Sequence, residues 1–193
     1  MYNSWEELEL NCKECRKCAL AKHRTNLVFG YGNKDAEVLF VGEGPGENED
    51  LQGKPFVGRS GKLLDMYLHS IDLDRDKNIY IANMVKCRPP QNRDPKPEEQ
   101  DICIDWLREQ VRIMRPKIIV CLGRIAAQRL IHPDFKVTKQ HGEFIDKNGT
   151  LMMGTFHPAA LLRNPNNKGD ALDDFMALQE KIKQVCKHTY NEV

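Results

Sequence analysis

The chain has 193 residues, of which 40 % are hydrophobic and 30 % charged, a balance typical of a globular domain with one sizeable core. Its formal net charge of +1 gives no global basic field, so a nucleic-acid partner would have to be bound by a local patch. Apolar stretches such as Val38–Val41 are too short to cross a bilayer, and the acidic N-terminus lacks the apolar segment of a signal peptide. We therefore predict a single domain over residues 1–193 that is cytoplasmic and has no membrane partner.

The N-terminal half alternates helices and strands. Ser4 followed by Glu7 indicates a capping box, which would open a short helix that runs into a cluster of cysteines. The apolar run Glu37–Val41 predicts a strand that ends in a glycine-rich loop. Apolar residues at helical spacing predict a helix over Ser60–Ile71, and Ile79–Ala82 predicts a second strand.

The C-terminal half continues the alternation. A helix is predicted to begin at Pro97, and the apolar run Ile118–Leu122 predicts a third strand with a helix after it. The segment Gly142–Phe156 indicates a hairpin around an Asn-Gly turn, and a final helix is predicted from Asp170 to about Lys187. Strands that alternate with helices predict an α/β domain with a mostly parallel central sheet.

Four predicted strands end in segments that suit a binding site. These ends are Gly42-Glu43-Gly44-Pro45-Gly46, Asn83, Gly123 and Phe156-His157. In open parallel sheets, ligands bind beyond the carboxyl ends of the strands, so we expect these four segments to line one site. The first loop matches neither a phosphate-binding P-loop nor a dinucleotide fingerprint, and its acidic residues make it a poor phosphate cradle. It suits an uncharged ligand or a developing positive centre.

Three segments resemble the signatures of family 4 uracil-DNA glycosylases. They are Gly42-Glu43-Gly44-Pro45-Gly46-x-x-Glu49-Asp50-x-x-Gly53-x-Pro55-Phe56-Val57-Gly58-x-x-Gly61, Asn83-Met84-Val85-Lys86-Cys87-Arg88-Pro89-Pro90, and Phe156-His157-Pro158-Ala159-Ala160-Leu161-Leu162-Arg163. They occur in the family's order, and the resemblance covers about Cys15 to Arg163. It implies a three-layer α/β/α fold with a mostly parallel four-stranded sheet, and a monomeric enzyme that hydrolyses the N-glycosidic bond of uracil in single- or double-stranded DNA. The sequence says nothing about a sliding clamp.

The resemblance also implies roles for the residues that recognise and release the base. Phe56 would stack on uracil, and Asn83 would read its O4 and N3–H edge, which rejects cytosine. His157 would donate to O2 as negative charge develops there, assisted by the backbone N–H groups of Glu43 and Gly44. Either Glu43 or Glu49 would stabilise the sugar cation or orient the attacking water. Both remain open, because Gly44 occupies the position of the aspartate that handles water in the better-known branch of the superfamily.

Two further residues would contact DNA by the same resemblance. Leu161 matches the position of a side chain that wedges into the space left by the flipped base. Arg163 would contact phosphates at the pocket rim, together with other basic side chains such as Lys86.

The seven cysteines are unevenly spaced along the chain. An odd count without an export signal makes a disulfide framework a poor interpretation. Cys15-x-x-Cys18 is half of a metal site that Cys87 and Cys103 could complete, and the spacing alone fits zinc and a [4Fe–4S] cluster equally. The resemblance implies a [4Fe–4S] cluster held by these four cysteines. Cys12 has the same spacing to Cys15, and the family pattern leaves it out.

Two other functions compete with this hypothesis. One is a relative that captures uracil-DNA covalently through a histidine; the segment Cys87–Cys103, where that branch carries its histidine, has none. The other is an iron–sulfur electron carrier, which would explain the cysteines but not the three segments at the strand ends.

Overall fold

A six-stranded mixed sheet forms the centre of the computed structural model, which describes residues 1–190. The strands are β1 (Tyr31–Gly32), β2 (Val38–Gly42), β3 (Tyr80–Asn83), β4 (Ile118–Leu122), β5 (Phe144–Lys147) and β6 (Thr150–Thr155), in the spatial order β1-β3-β2-β4-β6-β5. The four inner strands are parallel, whereas the edge strands β1 and β5 are antiparallel to their neighbours. The carboxyl ends of the four parallel strands therefore meet at one edge of the sheet.

Helices cover both faces of this sheet. They are α1 (Trp5–Lys13), α2 (Glu47–Gln52), α3 (Arg59–His69), α4 (Pro97–Met114), α5 (Arg124–Leu130), α6 (Val137–Gln140), α7 (Pro158–Arg163) and α8 (Lys168–Val185). Alternate residues of β2 point to opposite faces: Leu39 packs in a core cluster with α1, α4 and α5, and Phe40 packs in a second cluster with α3, α7 and α8. Because both faces are covered, the central strands β2 and β4 carry no polar side chain. The predicted three-layer α/β/α arrangement is confirmed.

The sheet has two more strands than the four that we expected. The four parallel strands are the predicted ones, and the additional two are the edges. β1 consists only of Tyr31 and Gly32, too short to show any alternation. β5 is the first arm of the predicted hairpin, whose turn residues Asn148 and Gly149 both have positive φ angles of 55° and 86°. Such a turn matches the twist of the two strands it joins, and an Asn-Gly pair suits it.

Local signals at helix ends are also visible. The Ser4 side chain accepts the N–H of Glu7 at 3.1 Å, so the predicted N-cap of α1 is confirmed. The reciprocal bond differs, because the Glu7 carboxylate accepts the N–H of Asn3 rather than that of Ser4. The helices α2, α6 and α7, which were not predicted, span only four to six residues and show too few turns for a periodic pattern. No helix within residues 1–190 combines the length and apolarity needed to span a bilayer.

Candidate active site

A cavity of about 740 Å³ opens at the carboxyl edge of the parallel strands. Its walls include residues at the ends of all four inner strands or just after them, namely Glu43, Asn83, Gly123, Phe156 and His157. The predicted convergence of these four strand ends is therefore confirmed. Phe56 and Glu49, from the segment between β2 and α3, complete the same cavity.

An aromatic ring and an amide lie side by side at the base of this cavity. Both side chains lie against Gly42, because a Cβ atom built there would be 2.5 Å from Oδ1 of Asn83 and 2.6 Å from Cζ of Phe56. Only glycine lets the two side chains approach the end of β2 this closely. Phe56 also faces His157, with ring centroids 5.5 Å apart and planes inclined by 35°. The three residues thus surround one space.

Asn83 presents an unsatisfied acceptor. Its side chain is only 2 % exposed, and Oδ1 has no hydrogen-bond partner within residues 1–190. A buried polar atom without a partner costs about 1–3 kcal/mol. Such a cost is offset when a ligand supplies the missing donor, so the amide is suited to a ligand with an N–H group.

Glu49 holds the backbone beside the aromatic ring. Its Oε1 accepts the N–H groups of Val57 at 2.9 Å and Gly58 at 3.1 Å, just before α3 begins. Phe56 itself has a positive φ of 52°, a conformation that is uncommon for a bulky residue. The carboxylate therefore has a positioning task, because it anchors the turn that holds Phe56 in a strained conformation at the site.

The hydrogen bonding and the burial of His157 favour a neutral ring. Its Nδ1 accepts the N–H of Ala159 at 3.1 Å, where it caps the start of α7, so the ring proton of the neutral form resides on Nε2. Burial lowers the pKa of His157 to about 4, and the charge of Arg163 adds to this shift while Glu49 opposes it. The side chain is therefore uncharged at neutral pH.

Glu43 lies in a cluster of charged side chains, and two members of this cluster, Asp94 and Arg124, are not among the residues that the sequence predicts for the site. Burial raises the pKa of Glu43 to about 7, assisted by the charge and hydrogen bonding of Asp94 and opposed by Arg124 and Arg163. Asp94 is itself paired with Arg124 at 2.9 Å. Arg124 follows Gly123 at the end of β4, so the strand-end argument also points to it. Asp94 lies in the long loop before α4, where no such signal exists.

The structure shows where three of the predicted DNA contacts lie. Leu161 is 2 % exposed and packs in the core cluster of α3, α7 and α8, and the wedge implied for it stays a prediction. Its position on the inward face of the short helix α7 explains this burial. Lys86 is wholly buried and is not at the rim. Arg163 is exposed and lines the cavity, as a phosphate contact would require.

Five cysteines from two parts of the chain lie near one another. Cys12, Cys87 and Cys103 share one core cluster, against which Cys15 and Cys18 pack, and all seven cysteines of the chain are free thiols. Arg24 donates to Sγ of Cys87 at 3.1 Å, and the backbone N–H of Lys86 donates to Sγ of Cys103 at 3.3 Å. Within residues 1–190, no three ligand-type side chains converge closely enough to hold a single metal ion.

Comparisons with known proteins identify the family of the chain. The sequence profile of the uracil DNA glycosylase superfamily matches residues 29–178. The chain is similar to a type-4 uracil-DNA glycosylase of Archaeoglobus fulgidus, with 44 % identity over 95 % of this chain and 94 % of that protein. It is also similar to type-4 enzymes of Thermotoga maritima, with 45 % identity over 87 % and 90 % of the two chains, and of Sulfurisphaera tokodaii, with 42 % identity over 92 % and 84 %.

Proposed function

The chain belongs to the type-4 branch of the uracil-DNA glycosylase superfamily, and from this premise we propose that its strand-end cavity hydrolyses the N-glycosidic bond of uracil in DNA. The chemistry requires a nucleotide to leave the base stack and enter a close-fitting pocket. The observation that carries the assignment of the site is that Phe56, Asn83 and His157 surround one space next to Gly42.

Phe56 and Asn83 recognise the base. The aromatic ring stacks on the face of uracil, which is favourable for any base. The amide of Asn83 supplies selectivity, because its unpaired Oδ1 accepts the N3–H of uracil and its NH₂ group donates to O4. Cytosine offers the opposite pattern along this edge, with an acceptor at N3 and a donor at N4. Binding cytosine would leave the buried amide unsatisfied, and sites of this kind discriminate strongly.

His157 stabilises the leaving group. As the glycosidic bond lengthens, negative charge collects on O2 of uracil, and Nε2–H of the neutral imidazole donates to that oxygen. The backbone N–H groups of Glu43 and Gly44 assist. Nδ1 is already occupied by the N–H of Ala159, so the ring is fixed in the tautomer that can donate. A preorganised donor of this kind contributes about 10²–10³ in rate.

Glu43 acts on the sugar side of the bond. Its position in the cavity beside Asp94 and two arginines allows it, when ionised, to stabilise the oxocarbenium-like sugar and to orient the attacking water. Glu49 lines the same cavity, but one of its oxygens is committed to the turn after Phe56. We therefore assign the water and the cation to Glu43, and the positioning of Phe56 to Glu49. Arg163 contacts a phosphate at the rim.

Cys15, Cys18, Cys87 and Cys103 would hold a [4Fe–4S] cluster. The residues present fit that group, because the four free thiols come from two parts of the chain that pack in one core cluster and N–H groups already donate to two of the sulfurs. Each thiolate of such a cluster binds a different iron, so the sulfurs need not converge on one point as they do around zinc. When bound, the cluster ties the N-terminal segment to the loop after β3.

Seven free thiols also suit a reducing compartment, and we place this enzyme in the cytoplasm as a monomer.

A uracil-release assay tests the proposed function. The cluster-loaded protein is incubated with a single-stranded oligonucleotide containing one uracil, and free base is separated by chromatography. We expect multiple turnovers with uracil and no release of base from the cytosine analogue. A protein that releases no uracil, or that forms a stoichiometric adduct surviving denaturation, would contradict the proposal.

A further inference from the structure

Lys86 is buried completely between the base-reading residue and the cysteines. It has no exposed surface, and it is the second-largest of the fully buried side chains. Its Nζ donates to the main-chain carbonyl of Asn83 at 3.1 Å and to Oε1 of Gln110 at 2.6 Å. Gln110 is held in turn by a bond from its Nε2 to the carbonyl of Phe29 at 3.1 Å. The ammonium is therefore fixed in a polar cradle inside the core.

This cradle contains no carboxylate. The ionisable side chains that act on Lys86 within residues 1–190 are the thiols of Cys12, Cys87 and Cys103, which are uncharged unless they lose a proton to a bound cluster. The two hydrogen-bond acceptors are neutral oxygens, and the ring of Phe29 lies 5.9 Å from Nζ. Burying an ammonium without a counter-charge is strongly unfavourable. A cluster bound by four thiolates carries net negative charge and would supply the missing partner.

The hydrogen bond from Lys86 to Asn83 links the buried ammonium to the pocket. Asn83 is the last residue of β3, and its side chain extends into the cavity while its carbonyl accepts from Lys86. The backbone N–H of the same lysine donates to Sγ of Cys103. One residue thus contacts the main chain of the base-reading residue at one end and a cluster ligand at the other.

We propose that Lys86 is a positioning residue that fixes the main chain of Asn83 and takes its counter-charge from the cluster, so that cluster loading and uracil recognition are coupled. This inference rests on the proposed function of Asn83 and of the four cysteines. It gives the cluster an electrostatic task in addition to tying chain segments together. It also explains why a lysine that the sequence places beside a DNA-binding motif is directed into the core.

The test compares Lys86→Met with Lys147→Met, which removes a charge from the exposed edge strand β5. Both proteins are prepared with the cluster. We expect Lys86→Met to lose its visible cluster absorbance to a chelator about tenfold faster than Lys147→Met, as befits loss of one partner of a buried charge pair. The reduction potential of its cluster should also become more negative, because a nearby positive charge has been removed. A purely structural role would not produce that shift.

Kinetics with a uracil oligonucleotide supply the second readout. An amide that has lost its anchor binds the base less well in the ground state and in the transition state alike, so KM should rise by about tenfold while kcat stays within about twofold. If Lys86→Met does not retain a cluster, the test uses Gln110→Leu. This variant removes one hydrogen-bond acceptor of Lys86 and keeps the charge of the lysine. We expect that variant to raise KM and to leave the reduction potential unchanged.

Two results would overturn the inference: cluster loss and potential in Lys86→Met equal to those of Lys147→Met, or an unchanged KM in a loaded Lys86→Met or Gln110→Leu protein. A different result would show that the proposed function is wrong: the cluster-loaded wild-type protein would release no uracil. The rate of cluster loss and the reduction potential would still test the role of Lys86.

Discussion

The backbone N–H of Ala159 donates to Nδ1 of His157, and this one bond decides which ring nitrogen can act on a ligand. A histidine that caps its own helix through Nδ1 is left with its proton on Nε2. Burial keeps the ring neutral, and the charge of Arg163 assists. A neutral donor stabilises a developing anion without first giving up a proton, and so it suits a leaving group that departs as a uracil anion.

Replacing His157 with alanine should therefore abolish most of the catalysis. We expect kcat for uracil release to fall by about 10²–10³, the effect of removing one preorganised donor from an oxyanion site. His69→Ala, an exposed histidine on α3, serves as the matched control and should keep the wild-type rate. Cluster absorbance should be equal in both proteins. A His157→Ala enzyme with near-normal kcat would show that another group stabilises O2.

The stability of the protein should depend on pH through His157. The ring binds a proton less tightly in the folded state, with a pKa of about 4, than in the unfolded chain, with a value of 6.5. The unfolded state therefore binds more protons between these values, and the free energy of unfolding falls as pH drops from 6.5 towards 4. The contribution is at most about 3 kcal/mol. Urea titrations across this range should show the loss, and His157→Ala should reduce it; an identical slope in the variant would contradict the assignment.

Glu43 should give the opposite dependence on pH. Its pKa is raised from 4.5 to about 7 in the folded protein, because burial and Asp94 disfavour the ionised form. Folding stability therefore decreases as pH rises through this window, while uracil release increases because the ionised carboxylate is the active form. In Glu43→Gln, we expect kcat to lose its rise near pH 7 and stability at pH 8 to exceed that of the wild type. Asp101→Asn, whose carboxylate pairs with Arg129 outside the cavity, should change neither profile.

The sequence predicts which strand ends meet, but not the electrostatics of the cavity that they line. The strand-end rule brings Asn83, Gly123 and His157 to one edge, because parallel strands flanked by helices leave few alternative topologies. Side-chain direction on a short helix is harder to infer: Leu161 lies on α7, whose six residues give no periodic pattern to separate its buried face from its exposed one. Asp94 illustrates a second limit, since its effect on Glu43 depends on how a long loop folds back over the cavity. The burial of Lys86 likewise depends on a tertiary cradle that no local pattern encodes.

A methyl group at Gly42 should damage recognition while leaving the fold intact. The added Cβ would clash with both Asn83 and Phe56, so both side chains would have to shift from their positions in the cavity. We expect Gly42→Ala to reduce kcat/KM by at least about tenfold, as misplacement of positioning groups commonly does. Gly169→Ala is the matched control, because a Cβ there meets nothing within 4 Å. Equal kcat/KM values in the two variants would show that Asn83 and Phe56 do not need this close approach.

A comparison of two substitutions should show that Glu49 is a positioning residue. Glu49→Gln keeps an oxygen that can accept the N–H groups of Val57 and Gly58, whereas Glu49→Ala leaves both without this acceptor. We expect Glu49→Ala to lower the free energy of unfolding by about 1–3 kcal/mol, because two backbone N–H groups lose their acceptor, and to raise KM. Glu49→Gln should retain stability and most of the activity. If Glu49→Gln instead loses kcat as severely as Glu43→Gln, the carboxylate charge of Glu49 takes part in the chemistry, and the division of roles between the two glutamates is wrong.

Arg163 should contribute to DNA affinity by attracting a phosphate and not by recognising the base sequence. Its side chain is exposed at the cavity mouth, where a phosphate of the flipped nucleotide's strand would pass. We expect Arg163→Gln to weaken binding of a uracil oligonucleotide and to reduce the slope of log Kd against log salt by about 1, the signature of one lost phosphate contact. Arg108→Gln removes another exposed arginine, which lies on α4 outside the cavity and pairs with Asp105, and should leave the slope unchanged. Because Arg163 also helps to lower the pKa of His157, the variant should be assayed at pH 8, where that histidine is neutral in either protein. Equal slopes for the two arginine variants would remove Arg163 from the DNA-binding surface.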